Sequence, residues 1–422
     1  MNRLRRMYAT LALAGCALVA HAPHSLGATF QVASPGQPGN NTTCAPCSTI
    51  KGALAATQLS PGTDTIQLGA GAYIERVDIP LSNPVNLIGA GASGSEATTL
   101  SAPTDVPIVS IAAGSVRDLH VVGLNHGTVV RMTGGILQRV SVTEIISSSS
   151  VNGVEIRNGG LGTPTIVDSS IYMASAGSGW ASWGVSLYSY NARVNIFNTS
   201  ITADFVLDQS QGGYINARRM NAVGRNHILN DGEGGVTEIR NSLMRLSSGY
   251  TGFKLFPHDA PNRVSRLKLY NSTLVGTGQE ASTAFALFAE NNNSAHLLVR
   301  DSVIHKFGTH LSATESGLGA ATADVRYSLF NQRKLNIGSG VSQDPVFQAN
   351  IFTTAPGFVN EAAHDYRLAA GSKLIDVGNP AALATGEPQV DIRGLPRLRD
   401  GNYDGTARRD MGAYEFQPAI YS

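Results

Sequence analysis

The hydrophobic and polar positions of this chain repeat in one short motif that returns at a nearly constant interval. An aliphatic residue is followed two positions later by Asp or Asn, usually then by Ser or Thr, and a second apolar residue stands three positions after the Asp or Asn. The clear copies are Ile166/Asp168/Ile171, Ile196/Asn198/Ile201, Ile239/Asn241/Met244, Leu269/Asn271/Leu274 and Val299/Asp301/Ile304. Three of the four intervals between successive copies are 30 residues long. A period of roughly 20–30 residues without helical patterning is typical of a solenoid.

The remaining interval, from Asn198 to Asn241, is 43 residues long. We interpret it as two shorter turns, because a degenerate copy of the motif stands at Ile215/Ala217/Met220. Weaker copies extend the series in both directions: Val116/Asp118/Val121, Leu137/Arg139/Val142 and Val325/Tyr327/Phe330. We therefore expect about ten or eleven stacked coils and a rod roughly 50 Å long, since stacked strands lie about 4.8 Å apart.

Each copy of the motif predicts two strands joined by one bent residue. Side chains alternate along a strand, so two apolar positions five residues apart can both face inward only if the chain bends between them. Asp and Asn tolerate the left-handed backbone and bond their own backbone, which suits a one-residue bend. Strand, bend and strand in stacked coils form the wall of an all-β, right-handed parallel β-helix. The alternative is an antiparallel β-sandwich, but the chain shows no series of Asn-Gly hairpin turns at the required spacing.

The composition agrees with an all-β chain. It has 46 glycines among 422 residues and only 14% charged residues, whereas long amphipathic helices would need more Glu, Lys and Leu. The length would allow two or three ordinary domains, but a continuous repeat favours one elongated domain with caps. The net charge is +1. Since the mature region also has no run of Lys or Arg, we do not expect nucleic acid as a partner.

Residues 1–28 have the features of a secretory signal peptide. Three arginines within the first six residues precede an apolar stretch of 14 residues, from position 7 to position 20. That stretch is too short to span a bilayer but suits a signal peptide, and no later segment is long and apolar enough for a transmembrane helix. A second interpretation is a bacterial lipobox at Leu13-Ala14-Gly15-Cys16, in which Cys16 would carry a lipid. In both cases we expect an exported protein, either secreted or at the cell surface.

Cys44 and Cys47 lie close together near the mature N-terminus. A redox Cys-x-x-Cys pair needs a βαβ context, and a zinc site needs further ligands, neither of which the surrounding sequence offers. In an oxidising compartment we therefore expect a local structural disulfide. Directly afterwards, Ser48 is placed to cap a short helix with Ile50 and Leu54 on one face. This helix would cover the first coil of the solenoid.

The last part of the chain carries several motifs in order. They are Asp344-Pro345-Val346-Phe347, Asp365-Tyr366-Arg367-Leu368, Gly371-Ser372, Ile375-Asp376-Val377-Gly378, Asp391-Ile392-Arg393-Gly394 and Asp410-Met411-Gly412-Ala413-Tyr414-Glu415-Phe416. With a Cys, short-helix, Asp-Thr-Ile-x-Leu and Gly-x-Tyr segment near the start, they resemble bacterial exported parallel β-helix proteins of the choice-of-anchor Q group.

This resemblance implies three regions. They are the signal peptide at 1–28, a parallel β-helix with its N-terminal cap at 29–345, and a choice-of-anchor Q-like C-terminal cap segment at 346–422. The resemblance implies export but no activity, because the group is named for its architecture. Since the chain ends seven residues after Glu415, we expect any anchor to be at Cys16.

The C-terminal region also contains a candidate calcium loop. Asp400, Asn402 and Asp404 occupy alternate positions and Gly405 follows them, which is the first half of a calcium-binding loop. The bidentate Glu expected later in such a loop is absent, and Asp410 and Glu415 are the candidate replacements. We expect calcium here to be structural. The alternative is a Gly-rich turn in which Asp and Asn side chains bond the backbone.

Catalytic candidates concentrate in the irregular stretch from 204 to 259. They are Arg218, Arg225, His227, Lys254 and His258. A lyase acting on an acidic polysaccharide needs a base for the proton beside the uronate carboxylate and a cation or calcium to neutralise that carboxylate. A hydrolase needs two facing carboxylates instead. The alternative interpretation is that these residues are solvated charges on the outside of the rod.

Two aromatic residues complete the candidate sites. Trp180 and Trp183 lie in a Gly- and Ser-rich loop, where exposed rings would stack on sugar faces. Local packing of a long loop is the alternative. From the sequence we expect a binding or structural protein that contacts polysaccharide or cell-envelope glycans along the side of the rod. The competing hypothesis is a polysaccharide lyase or glycoside hydrolase with its site between 218 and 259.

Overall fold

A computed structural model describes residues 27–60, 62–102, 107–124, 127–145, 150–160, 162–174, 181–258, 260–339, 341–383 and 387–418. The candidate lipidation residue Cys16 and most of the signal peptide lie outside these residues, as does the candidate sugar-stacking residue Trp180. Within them, no helix is both long enough and apolar enough to cross a membrane.

The described chain forms one α-helix, one 3-10 turn and a long series of short strands. The helix α1 is Ile50–Thr57 and the 3-10 turn η1 is Glu361–Ala363. The strands are β1 Thr29–Val32, β2 Asp64–Leu68, β3 Gly71–Ile74, β4 Val77–Ile79, β5 Val85–Ile88, β6 Thr98–Ser101, β7 Val109–Ile111, β8 Gly114–Gly123, β9 Thr128–Met132, β10 Ile136–Glu144, β11 Val151–Ile156, β12 Thr165–Val167, β13 Ser170–Met173, β14 Ser182–Leu187, β15 Arg193–Phe197, β16 Ser200–Gln209, β17 Gly213–Arg218, β18 Asn221–Asp231, β19 Gly235–Arg240, β20 Leu243–Leu246, β21 Thr251–Leu255, β22 Val264–Tyr270, β23 Thr273–Val275, β24 Thr283–Ala289, β25 Ser294–Arg300, β26 Val303–His305, β27 Thr309–Glu315, β28 Ala320–Arg326, β29 Leu335–Ile337, β30 Val346–Gln348, β31 Phe358–Asn360 and β32 Asp365–Leu368.

The strands stack into three parallel sheets that enclose a common interior. Sheet A runs through β1, β2, β5, β8, β10, β12, β15, β17, β19, β22, β25, β28 and β30. Sheet B runs through β3, β6, β8, β10, β13, β16, β18, β20, β23 and β26. Sheet C runs through β4, β7, β9, β11, β14, β16, β18, β21, β24, β27 and β29. The longest strands bend and contribute to two sheets. The chain is therefore a right-handed parallel β-helix, which confirms the predicted fold class.

The bend residues of the motif form a column between sheets A and B. Each has a left-handed backbone, with φ between 46° and 58°. They are Asp118, Arg139, Asp168, Asn198, Arg219, Asn241, Asn271, Asp301 and Tyr327. This confirms the clear and the weaker copies of the motif. The described part of sheet A has thirteen strands, more than the ten or eleven coils expected, because its first three rungs carry no such bend and the bend of its last rung is Ala349.

One copy of the motif was placed two residues too early. Ala217 lies within β17, where it pairs with Ile196 of the preceding rung, so it cannot be the bend. The bend is Arg219, with a φ of 51°, and the true copy is Ala217/Arg219/Ala222. The error arose because apolar residues occupy both possible frames and an Arg replaces the usual Asp or Asn.

Aliphatic side chains of the three sheets form one continuous core along the rod. In sheet A, Ile166, Ile196, Ala217, Ile239 and Leu269 succeed one another in register, and each is fully buried. The flanking side chains point outward, as the strand alternation requires. Because the backbone groups of inner rungs pair with rungs on both sides, only the two ends of the rod lack a neighbouring rung.

The helix α1 covers the N-terminal end of this core. Its residues Ile50 and Ala53 are buried in the core. Thr49 is the N-cap, since its Oγ1 accepts a 2.9 Å hydrogen bond from the Gly52 amide. The predicted cap, Ser48, instead donates its backbone N–H to the Asn41 side chain. Before the helix, Cys44 and Cys47 form the expected disulfide, with an S–S distance of 2.10 Å.

The C-terminal segment packs against the side of the solenoid. After β30, the last rung of sheet A, the chain turns back and lies over the outer face of β20, β23 and β26. The outward side chains Leu243, Val275 and Val303 are buried beneath it. Tyr366 and Met411 of the segment contact these side chains. The segment therefore covers part of sheet B and leaves a compact, loop-rich layer on one side of the rod.

Candidate functional site

The five predicted catalytic residues do not share one surface. Arg218 lies on the outer face of sheet A, at the end of β17. Arg225 lies in β18 beside the corner of sheets B and C, where its Nε contacts Asp204 Oδ1 at 2.6 Å. Its Nη2 also donates to the Met173 carbonyl at 2.6 Å. Arg225 thus joins neighbouring rungs through partly buried contacts.

His227 is part of an aromatic ladder on the outside of the same corner. Trp183, Phe205 and His227 occupy equivalent positions in successive rungs. The Trp183 and Phe205 ring centroids lie 6.0 Å apart, and those of Phe205 and His227 lie 5.0 Å apart. One face of Trp183 is therefore covered by Phe205, as the local-packing interpretation expects. Burial, assisted by the charge of Lys254, lowers the pKa of His227 to about 4, so the imidazole is neutral at neutral pH and a weak base.

Lys254 and His258 lie further along sheet C. The Lys254 ammonium is 5.4 Å from the centroid of the Phe256 ring. The His258 ring meets the same Phe256 ring edge-on, with centroids 4.9 Å apart. In sheet C, Asn230 stands next to Lys254, and Asp208 stands on the far side of Asn230. Lys254 and His258 thus form a small cluster on Phe256 that is separate from Arg218 and Arg225.

The candidate calcium residues lie on an exposed turn of the C-terminal segment. The carboxylate of Asp400 accepts the backbone N–H groups of Asp404 and Gly405, at 3.1 and 2.8 Å. Asn402 Oδ1 also accepts the Asp404 N–H, at 2.9 Å. Asp410 is buried and accepts the N–H of Asp376 at 2.7 Å. The described residues contain no cluster of three or more His, Cys, Asp or Glu side chains suited to a metal ion. Calcium binding by these four residues stays a prediction.

The outer face of sheet A carries a row of side chains that the sequence analysis did not single out. The residue directly before each bend points outward, and in six successive rungs it is basic or aromatic. These residues are Phe197, Arg218, Arg240, Tyr270, Arg300 and Arg326, which are paired in register. Neighbouring rungs are about 4.8 Å apart, so the side chains form a continuous row along the rod. The signal was present in the sequence at the position before each bend.

Two further rows lie beside the first on the same face. The middle row contains Asn195, Asn216, Glu238, Lys268, Leu298 and Asp324, and the outer row contains Arg193, Tyr214, Val236, Arg266, His296 and Thr322. From β15 to β28 the three rows hold seven Lys or Arg residues against two carboxylates, a net charge of +5. The whole chain has a net charge of only +1. We call this outer surface of β15, β17, β19, β22, β25 and β28 the cationic face.

The two acidic residues of the cationic face hold several of its cations in place. Glu238 lies 2.7 Å from Arg240 Nε and 3.9 Å from the Lys268 ammonium. Asp324 contacts Arg300 at 2.6 Å and Arg326 at 2.8 Å. Burial alone would raise the pKa of Asp324, but the hydrogen bonds from Arg300 and Arg326 lower it overall. Each of the two carboxylates therefore contacts two cations, so every such group keeps a net positive charge.

Other arginines of the cationic face lack a carboxylate partner or lie on aromatic rings. Among the described residues, Arg193, Arg218 and Arg266 form no ion pair. The Arg193 guanidinium lies 5.5 Å from the Tyr214 ring centroid, and the Arg240 guanidinium lies 4.1 Å from that of Tyr270. Cation–π contacts of this kind keep a guanidinium flat against the surface with its N–H groups available at the edge.

Comparisons with known proteins support the fold alone. No family model matches the chain and no curated protein matches it. Among solved structures, the chain is similar to pectate lyase Pel9A, with a TM-score of 0.54 and 14% identity over 94% of this chain and 98% of that one. It is also similar to a pectin methylesterase from Aspergillus niger, with a TM-score of 0.32 and 12% identity over 83% and 92% of the two chains. The likeness to the pectate lyase shows that nearly the whole chain has the parallel β-helix fold.

Proposed function

We propose that this protein is an exported β-helix protein that binds an acidic polysaccharide along its cationic face. The observation that supports the proposal is the net charge of +5 on the outer side of six successive rungs, in a chain whose overall net charge is +1. Guanidinium groups bind carboxylates through paired hydrogen bonds, and flat aromatic rings pack on sugar faces.

The geometry favours a linear polymer over a compact ligand. The cations recur along one direction at multiples of the rung spacing of about 4.8 Å. A chain of acidic sugars presents its carboxylates at a regular interval in the same way, so several weak contacts add without a deep pocket. The pectate lyase named above acts, by its name, on pectate, an acidic polysaccharide, and we extend that class of ligand to this chain.

A polysaccharide lyase is the second candidate, and its support is the likeness of fold to a pectate lyase. Fold does not determine activity, because catalysis depends on the groups in the site. Arg218 lies on sheet A, apart from the other four candidates near sheet C, and the imidazole of His227 has a lowered pKa. We therefore favour a binding role. Export, attachment through Cys16 and membership of the choice-of-anchor Q group belong to the same proposal.

The test is direct binding of the mature protein to polygalacturonate, alginate and the neutral polymer dextran at low and moderate salt. We expect binding to the two acidic polymers, weakening as salt rises, and no binding to dextran. The double variant Arg218→Ala/Arg266→Ala should bind at least tenfold more weakly. Arg333→Ala, which removes an exposed arginine away from the cationic face, should bind as the parent does.

Two other outcomes would redirect the proposal. Equal loss of binding in Arg333→Ala would show that overall charge, and not the cationic face, is responsible. Tighter binding to single-stranded DNA than to polygalacturonate would favour a nucleic-acid ligand instead. Release of unsaturated sugar products, followed by their ultraviolet absorbance, would favour the lyase.

A further inference from the structure

A groove of about 450 Å³ lies where the C-terminal segment meets the outer face of sheet B. One wall comes from the solenoid, with Arg245 of β20, Thr277 after β23 and Lys306 after β26. The other wall comes from the C-terminal segment, around η1 and His364. The volume lies within the range of about 300–1,000 Å³ that is usual for small-ligand pockets. The groove exists only when the two parts of the chain are docked.

The groove carries a cation without a carboxylate partner. Arg245 Nη1 lies 3.3 Å from His364 Nε2. A guanidinium only donates, so His364 accepts at Nε2 and carries its proton on Nδ1, which lies 3.4 Å from the Tyr366 hydroxyl. Among the described residues, no carboxylate forms an ion pair with Arg245, so its positive charge faces the groove uncompensated.

The second cation of the groove is already neutralised. The Lys306 ammonium lies 2.7 Å from Glu361 Oε1. Burial alone would raise the pKa of Glu361, but the contacts with Lys306 and His305 lower it overall, so the carboxylate stays ionised. Burial lowers the pKa of His305, which contacts the same carboxylate at 3.1 Å. The groove thus has a net charge of +1, and it suits a ligand with a single negative charge.

The remaining polar groups suit hydroxyls. Ser247 and Thr277 line the groove beside Arg245, and Glu361 offers a carboxylate oxygen as an acceptor. A hydroxyl-rich ligand would bond to these groups while its anionic group pairs with Arg245. Sugars with one carboxylate have this combination. An inorganic anion would also pair with Arg245, but the Glu361 carboxylate would repel it, whereas a sugar hydroxyl can donate to that carboxylate.

We infer that this groove is a second ligand site, which binds one acidic sugar, a hexuronate or the end of a short uronate oligosaccharide, through Arg245. The site is separate from the cationic face, so the two can fail independently. Because both walls contribute, the bound ligand also stabilises the docking of the C-terminal segment.

The experiment measures binding of galacturonate, glucuronate, galactose and inorganic phosphate to the full chain, by calorimetry and by the shift in unfolding temperature. We expect the two uronates to bind and to raise the unfolding temperature, and galactose to have no effect. Arg245→Met, which keeps the length of the side chain but removes its charge, should weaken uronate binding at least tenfold. Arg333→Met, at an exposed position outside both the groove and the cationic face, should bind the uronates as the parent does.

Each alternative result has a definite meaning. Unchanged uronate binding in Arg245→Met, or no binding of either uronate at millimolar concentration, overturns the inference. Phosphate binding tighter than uronate overturns the assignment to an acidic sugar. If Arg245→Met lowers the unfolding temperature without ligand, Thr277→Val provides a second test, since it removes only a hydroxyl and should weaken uronate binding severalfold.

Discussion

Arg397 donates a 2.6 Å hydrogen bond from Nη2 to Oδ1 of Asn241, the residue that turns the chain from sheet A into sheet B. Both side chains are buried. The same guanidinium lies 2.6 Å from Glu415 Oε1 and also bonds the Gly412 carbonyl at 3.0 Å. One bend residue therefore serves two purposes: its backbone closes a coil, and its side chain binds the C-terminal segment to the rod.

Removing Arg397 should release the C-terminal segment. Arg397→Met leaves Glu415 buried without its cation, and breaking a buried pair in this way costs about 3–5 kcal/mol. We expect lower stability in urea unfolding and faster proteolysis of the segment, while the solenoid keeps its strand signal in circular dichroism. Arg367→Ala, which removes a half-exposed arginine paired with Asp365, should change stability far less, because water screens an exposed ion pair. Similar losses in both variants would contradict the proposed docking role.

Asn198 and Asn241 provide a matched pair for separating bend from docking. Both have a φ of 49°, and glycine tolerates that backbone equally well at either position. Asn198 is exposed and bonds Asp168 of the neighbouring coil, whereas Asn241 bonds Arg397 and the Val390 carbonyl. Asn198→Gly should change the free energy of unfolding by less than about 1 kcal/mol. Asn241→Gly should lower it by about 1–3 kcal/mol, because it leaves buried partners unsatisfied. Equal effects would show that the docking contacts contribute little.

Buried acids should make the protein less stable as the pH rises. Asp231, at the end of β18, is buried within the solenoid, and burial raises its pKa to about 7. The folded chain therefore keeps a proton that the unfolded chain releases near pH 4, so stability is greatest below that pH and falls as the pH approaches 7. Burial likewise raises the pKa of Asp301 to about 6 and of Asp410 to about 7.

Asp231→Asn tests this pH dependence. The amide carries no charge, and its oxygen can still accept the Gly234 N–H that Asp231 accepts at 3.1 Å. At pH 8 the variant should be more stable than the parent by up to about 4 kcal/mol, at about 1.4 kcal/mol per pKa unit, with little difference at pH 4. Unfolding temperatures across this range provide the measurement. Asp344→Asn, at an exposed position, should follow the parent. A flat profile in the parent would refute the assignment.

A substitution on the cationic face should strengthen polymer binding. Glu238→Gln removes the carboxylate that pairs with Arg240 and Lys268, and it raises the net charge of the face from +5 to +6. We expect affinity for polygalacturonate to rise severalfold at low salt and the difference to shrink at high salt. The control is Glu280→Gln, at an exposed acid in a turn outside the face. If both variants gain equally, the effect comes from total charge.

The sequence predicted the bends because their cause is local. Asp168, Asn198 and Asn271 adopt a left-handed backbone that their own side chains favour, so the motif is visible without knowledge of the fold. Arg219 occupies the same kind of bend, but an Arg carries no such local signal, and the frame of that copy was wrong. Once one residue of a coil is fixed, the parallel pairing fixes the rest.

The binding surface was harder to find because outward positions of a strand follow no hydrophobic pattern. Arg218 attracted attention for its charge, yet its true neighbours, Arg240 and Tyr270, lie one and two coils away along the rod. Only the register brings them together. The docking of the C-terminal segment was equally invisible, since Arg397 and Asn241 are separated by more than 150 residues and nothing local links them.

The C-terminal segment contacts the column of bend residues at two levels. At the first level Arg397 bonds Asn241. At the second level Asn379 and Arg409 contact Asp301. Those levels are two coils apart, and both sets of contacts depend on that distance. A coil inserted or lost between the two levels would shift one bend residue by about 5 Å, so the C-terminal segment could no longer contact both bend residues. Upstream of Asn241, whole coils can be duplicated or deleted without disturbing either set of contacts. During evolution, changes in the length of this rod should therefore have occurred in its N-terminal half.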